Sequence, residues 1–351
     1  MTFIDKSLAV LVTGANGYVA SWLVKYLLED GFTVHATVRD KRNEKKIGHL
    51  LKLEQEHPGK LKFFNADLII DGAFDDPMKG CGLVFHTASP FVVRGLKDPQ
   101  KELIEPALQG TRNVLNTVSK TETVKRVVLT SSVVAIYSDA IETLNQQHGK
   151  FSEADWNTTS SIDHQPYSYS KTLAEKEAWK IMKAQNRWDM VAINPGLVLG
   201  PSMSNGSASE SLSTMLEIMD GTMRTGAPNL RFPIVDVRDV AIAHIRAATR
   251  ENGTGRHIMV SASGSVMEIA SYIKEAFPGK CRLPLWQAPK FIVWILAPIF
   301  GITRKFVKQN VGYPIEFDNS RAKNELGLNF MNIKQSVQDH AQQIIDDGWL
   351  K

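Results

Sequence analysis

Short apolar runs alternate with longer amphipathic stretches along the first 135 residues of the chain. Residues 9–13, 33–38, 61–65, 83–87 and 126–130 are almost continuously apolar, the pattern of strands buried on both faces. Between them, 18–29, 44–56 and 100–119 repeat apolar residues at helical spacing. A further helix over 166–185 leads into an apolar strand at 190–194. Strand and helix taking turns in this way predict an α/β chain, its parallel sheet covered by helices on both faces.

After Pro201 the pattern changes. Residues 202–211 are small and polar and read as a loop, a candidate cover for a site. A strand-and-helix pair over 232–249 and a strand at 257–260 are expected to rejoin the first sheet, and an amphipathic helix over 333–347 closes the chain. The expected organisation is one layer of residues 1–200 with 232–261 returning to it, and a smaller lobe of 201–231 and 262–351. No internal repeat is present. The apolar run at the N-terminus, 8–12, is short for a signal-peptide core and leads into glycines, which predicts a cytoplasmic protein. The run FIVWILAPIF over 291–300 contains Pro298 and falls short of the ~20 residues of a membrane span. It is expected to be a packed helix or pocket wall.

Composition mainly excludes. Lys and Arg exceed Asp and Glu by only 41 to 37, without the clustered excess of a nucleic-acid binder. Cys81 and Cys281 are too few and too far apart in sequence for a disulfide framework or a cysteine metal site, and no metal is expected. No G-x-S-x-G elbow or H-E-x-x-H motif is found. His86, at the end of the fourth strand, reads as packing.

The first chemical signal follows the first strand, where LAVLVT runs into GANGYVA and a helix. Gly14 permits a tight turn, Gly17 lets the backbone approach a diphosphate, and Ala20 lets the helix pack closely on the strand. The helix N-terminus then offers N–H groups and a positive dipole end to phosphate. In this context G-x-x-G-x-x-A predicts a dinucleotide site on a Rossmann-like, doubly wound parallel sheet. The second strand ends in TVRDKRNEKK. Arg39 stands 25 residues after Gly14, where an NAD-selective site holds an acid, and Lys41, Arg42, Lys45 and Lys46 follow. A guanidinium suits a 2′-phosphate, so NADP(H) is expected over NAD(H), with NAD(H) as the alternative, while Asp40 keeps a plainer reading open. The plainer reading of this cluster is a solvated helix entry.

The second signal is PYSYSKTLAEKEAW on the helix after residue 166. Tyr167 and Lys171 are four apart and share one helical face. An ammonium there favours the phenolate of a Tyr whose unperturbed pKa is about 10. The pair then exchanges a proton with a carbonyl or alcohol oxygen. Tyr169 lies on the other face and reads as packing. RVVLTSS puts Ser131 and Ser132 at the C-terminal edge of the fifth strand, where ligands of open parallel sheets sit. Each element alone is weak; their co-occurrence in this order is not.

Together these elements resemble the extended short-chain dehydrogenase/reductase family, and within it the dihydroflavonol 4-reductase-like group. The matching strings include VTGANGYVASWLV, VFHTASP, KRVVLTSS, YSYSKTLAEKEAW, INPGLVLGP, VDVRDVAIAH and DNSRAKNELG. The resemblance implies a Rossmann-like sheet with a smaller C-terminal substrate-binding lobe. It also implies NADPH-dependent reduction of an aldehyde or ketone, a small-molecule carbonyl substrate, and a monomer or homodimer. Ser132 would be the catalytic serine, Tyr167 the proton donor, and Lys171 the ribose ligand that tunes it. Gly14, Gly17 and Tyr18 would line the diphosphate and ribose, and Arg39 and Lys46 the 2′-phosphate. Asp67 and Leu68 would contact adenine. Thr87, Ala88 and Ser89 would flank the cofactor, and Pro195, Gly196 and Val198 the nicotinamide amide.

Plant dihydroflavonol reductases carry Asn five residues past the serine; here that position is Tyr137, which argues against a flavonoid substrate. Rival readings in the same superfamily are a 3β-hydroxysteroid dehydrogenase-type enzyme, with 286–300 lining a bulky apolar pocket, and a nucleotide-sugar epimerase. Arg39 argues against the epimerase, and Val133, Val134 and Ala135 after Ser132 argue against dehydration. A non-catalytic NADP(H)-binding sensor is the rival of another class. Retention of Ser132, Tyr167 and Lys171 speaks against it.

Overall fold

The computed structural model describes residues 5–90, 97–204 and 210–350. The strands are, in chain order, β1 (Ala9–Thr13), β2 (Val34–Val38), β3 (Leu61–Asn65), β4 (Cys81–His86), β5 (Arg126–Thr130) and β6 (Asp189–Pro195). Shorter strands follow: β7 (Leu197–Leu199), β8 (Ala227–Pro228), β9 (Arg231–Asp236), β10 (Gly255–Met259), β11 (Ala262–Ser265) and β12 (Gln287–Ala288). The helices of the first half are α1 (Tyr18–Glu29), α2 (Glu44–Glu56), α3 (Glu105–Lys120) and α4 (Pro166–Lys183). The second half carries α5 (Glu210–Met219), α6 (Val237–Thr249), α7 (Val266–Ala276) and α8 (Lys290–Leu296). It ends with α9 (Arg304–Asn310), α10 (Ser320–Asn324) and α11 (Ile333–Asp346).

Seven strands form one parallel sheet in the order β10-β6-β5-β4-β1-β2-β3, a Rossmann-like, doubly wound arrangement. Its central strands are mostly apolar and almost wholly buried because both faces are covered. In β1, Val10 and Val12 pack into the layer under α1 and α6, while Leu11 enters the opposite layer with Val114 and Val118 of α3. The order reverses between β1 and β4, and such a switch point opens a crevice at the strand C-termini. Arg126, at the start of β5, is buried. Its guanidinium holds Asp189 of β6 at 2.8 and 2.6 Å and donates to the carbonyls of Ala247, in the last turn of α6, and Arg250, just after it.

Several elements differ from their expected bounds. The fourth strand begins at Cys81, and a π-helical turn, Gln100–Ile104, precedes α3. The 232–261 segment splits: β10 joins the main sheet beside β6, but β9 pairs with β7 in parallel and β11 antiparallel in a second, three-stranded sheet. That small sheet packs on α5, α7 and α11. Gly196 bridges the two sheets, and a Cβ there would lie 2.3 Å from the Pro233 carbonyl oxygen of β9. The 291–300 run does not pack inward as a whole. Most of it, from Phe291 to Phe300, is solvent-exposed. No helix among the described residues is long and apolar enough to cross a membrane.

Four histidines are buried in the neutral form, with burial pushing His86 down to about 3 and His244, His257 and His340 down to about 4. In His244, Nδ1 lies 2.7 Å from the Val240 carbonyl and must donate, so Nε2 accepts from the Thr130 hydroxyl at 2.7 Å. Unfolding returns each ring to about 6.5, so the unfolded chain binds more protons below that pH. Stability is therefore expected to be full above about pH 6.5 and to fall toward pH 4, by up to ~1.4 kcal/mol per pH unit for each ring. Asp239, pushed up to about 6 by burial, opposes this with one proton. Urea midpoints at about pH 7 and pH 4.5 measure the difference, and equal midpoints would contradict it.

Candidate functional site

At the end of β1 the chain turns at Gly14, where φ is +62° and a Cβ would lie 3.0 Å from the Ala88 Cβ. The Gly14 N–H donates to the Thr37 hydroxyl at 3.2 Å, and the Gly17 N–H to the Gly14 carbonyl at 2.9 Å. Thr13 supports the opposite wall, accepting the Ala88 N–H at 3.0 Å while its carbonyl accepts the Thr87 hydroxyl. Gly17 precedes α1 with no side chain capping it, so the first-turn N–H groups have no side-chain acceptor. These features frame a groove of about 740 Å³ at the sheet's switch point.

Gly14 and Gly17 line this groove at one end, and Asp67 and Leu68 after β3 line it farther along. Thr87, Ala88 and Ser89 form a wall, and Arg39, Lys45 and Lys46 stand on its rim. Among the described residues, none of those three cations has a carboxylate partner, whereas Arg42 is drawn to Asp40 at 3.2 Å. A basic rim and a cradle too narrow for a Cβ both fit a phosphorylated dinucleotide. Thr37 and Lys45 also border it. Thr37 was not singled out by sequence, since its role lies in the hydroxyl it gives to Gly14. Tyr18 is elsewhere: its phenol donates to the Gly200 carbonyl, joining α1 to the segment after β7. Of the 202–211 loop, Ser204 borders the groove, while 205–209 lie outside the described residues.

Beyond this wall is a small recess lined by His86, Ser89, Ser131, Lys171 and Glu175, sharing Leu68, Ala88, Ser89 and Pro90 with the groove. His86 is buried as packing and bonds Thr13 at 3.0 Å. Lys171 is buried, and desolvation pushes its ammonium down to about 8, against the favourable charge of Glu175. Tyr167, one turn earlier on α4, is half-buried. Burial and the Glu210 carboxylate push its phenol up, so the lowering expected from Lys171 is not what dominates in this structure. Ser132 leads the short turn Val133–Ala135, against which α4 packs. Its hydroxyl accepts the Val134 N–H at 3.3 Å and donates to the Pro195 carbonyl at 3.4 Å. Gly196 follows, and Val198 is half-buried in β7. Tyr137 is held by ring contacts with Phe151 at 5.3 Å and Phe317 at 5.4 Å.

Beneath these side chains is a buried hub that sequence reading missed. Glu175 accepts from Arg256 Nε of β10 at 2.7 Å, Asn194 Nδ2 of β6 at 2.8 Å and Trp179 Nε1 at 3.1 Å. It also accepts the Ser131 hydroxyl. The available signal was spacing, since Tyr167, Lys171 and Glu175 recur every four residues on one face of α4. The loop before α4 is fixed as well. His164 meets Asp139 at 2.7 Å, and Gln165, with φ +58°, donates to the Ser138 carbonyl at 2.9 Å.

The NAD dependent epimerase/dehydratase family matches residues 10–261. Cinnamoyl-CoA reductase from Medicago truncatula is 43% identical over 80% of this chain and 87% of its own length. Tetraketide alpha-pyrone reductase 1 from Arabidopsis thaliana is 35% identical over 97% of this chain and 96% of its own. The structure of yeast methylglyoxal/isovaleraldehyde reductase complexed with NADPH superposes with a TM-score of 0.80 at 27% identity, covering 97% of this chain and 99% of that one.

Removing one partner of a buried ion pair costs about 3–5 kcal/mol. Glu175→Ala is expected to lower unfolding stability by that amount, read from denaturant melts. A loss under about 1 kcal/mol would show that water reaches the Arg256 guanidinium.

Proposed function

This chain belongs to the NAD dependent epimerase/dehydratase family and, within the extended short-chain dehydrogenase/reductases, to the dihydroflavonol 4-reductase-like group. On that premise we propose that it reduces an aldehyde or ketone to an alcohol with NADPH in the cytoplasm. The observation that carries the reading is a dinucleotide-sized groove with unpaired cations on its rim, sharing a wall with a desolvated lysine. Residues 1–200 with α6 and β10 of the returning 232–261 segment would form the cofactor layer, and 201–231 with 262–351 the substrate-binding lobe, with β7 and β9 joining the two through the small sheet.

When bound, NADPH supplies the hydride. Gly14, Gly17 and the start of α1 would hold the diphosphate, Arg39 and Lys46 the 2′-phosphate, and Asp67 and Leu68 the adenine. Thr87, Ala88 and Ser89 would flank the cofactor. Pro195, Gly196 and Val198 would border the nicotinamide amide. Tyr18, engaged with Gly200, would contribute to the cofactor site by fixing the start of α1. Ser132 and Tyr167 would donate to the substrate carbonyl oxygen, stabilising the charge that develops there. A phenol held above its ordinary range keeps its proton at neutral pH, which suits Tyr167 to give that proton in the reductive direction. Lys171 would bind the ribose and steady the phenolate left behind.

Tyr167→Phe is expected to lower kcat by about 10²-fold or more while NADPH binding, followed by cofactor fluorescence, is retained. Turnover near the original rate would refute the assignment. In Arg39→Glu the preference for NADPH over NADH should fall by at least about tenfold in kcat/KM, the loss of a phosphate contact and gain of a repulsion. An unchanged ratio would remove the basis for NADP selectivity.

A further inference from the structure

Residues 276–315 contain six Lys and Arg and no Asp or Glu, a surplus larger than the +4 of the whole chain. The exposed part of the 291–300 run lies within this segment. Phe291, Trp294 and Ile295 are spaced i, i+3, i+4 on α8 and so share one face, with 66%, 41% and 55% of their surface exposed. The turn that follows, Ala297–Phe300, adds Ile299 at 78% and Phe300 at 63%. On the inner side, Val293 and Ala297 pack against Val307 and Val311, a small cluster that seats α8 on α9. The larger apolar side chains therefore face out, while smaller ones hold the unit down.

The surroundings of this patch are basic. The Arg304 guanidinium lies 4.4 Å from the Trp294 ring centre, and Lys305 and Lys308 are exposed on α9. None of the six cations pairs with a carboxylate among the described residues. Exposed apolar surface of this kind marks an interaction site. A second copy seated by two-fold symmetry would bring like charges together, which disfavours self-association. Aromatic and aliphatic side chains beside unpaired cations instead complement a surface with an apolar interior and anionic headgroups.

We propose that this face docks on an anionic lipid bilayer, with Phe291, Trp294, Ile295, Ile299 and Phe300 in the headgroup–acyl boundary and Arg304, Lys305 and Lys308 at the phosphate level. The seven-residue α8 is far too short to span, so the contact is peripheral. It does not depend on the hydride-transfer reading.

The test is co-sedimentation of the full chain with vesicles of phosphatidylcholine alone and of phosphatidylcholine mixed with phosphatidylserine. Partitioning onto the mixed vesicles is expected to be at least about tenfold stronger, and to fall when salt is raised from about 0.1 to 0.5 M. The R304E/K305E/K308E variant should lose at least about tenfold of that binding. F291S/I299S/F300S should lose binding even at low salt, and circular dichroism melts verify that both variants fold. Equal partitioning onto the two vesicles overturns the proposal, as does wild-type binding by either folded variant. A concentration-dependent dimer in ultracentrifugation that F291S/I299S/F300S abolishes, without vesicle binding by the parent chain, would make the patch a self-association surface and likewise overturn it.

Discussion

A carboxylate sealed inside the protein governs how the candidate site is held. Glu175 is almost wholly inaccessible, and an ion removed from water needs charge and hydrogen bonds from its surroundings. Its partners come from the end of β5, from β6, from β10 and from its own helix. Rotating α4 would strand that charge, so the hub fixes the phase of the helix. Tyr167 and Lys171 lie on the same face, and their direction follows from that phase. Geometry at the surface of the site is thus an outcome of electrostatics below it.

Charge is handled in opposite ways at the two ends of the site. Around the groove rim, Arg39, Lys45 and Lys46 are exposed to solvent. In the recess, Lys171 is desolvated, and its proton is held loosely enough for its pKa to approach neutrality. The rim suits attraction of a dianion. The recess suits an environment in which a nearby charge or hydrogen bond has a large effect.

Much of this arrangement was legible in the sequence, for identifiable reasons. The strands at 9–13, 61–65 and 126–130 and the helices at 18–29 and 44–56 were read at their observed positions because periodicity and turn residues agree there. The groove residues after β1, β2 and β3 were readable because strand ends of a parallel sheet converge on one edge. A short apolar strand looks alike whichever sheet it joins, so β9 was expected in the wrong one. The 291–300 run was expected inside because its pattern records apolarity but not what covers it. Glu175 was hidden in the polar string LAEKEAW, where a charged residue reads as surface. Its partners at 131, 194 and 256 are brought to it only by tertiary folding.

The position of β10 bears on how the molecule is made. This edge strand sits beside β6 yet is contributed by residues 255–259, so Arg256 leaves the ribosome some eighty residues after the carboxylate it neutralises. During synthesis the earlier strands can collapse, but α4 cannot seat Glu175 without leaving a buried charge unmatched. The nascent first half should therefore remain a loosely packed, chaperone-accessible species until the seventh strand arrives. The final step of sheet assembly and the locking of the helix that carries Tyr167 would then be one event.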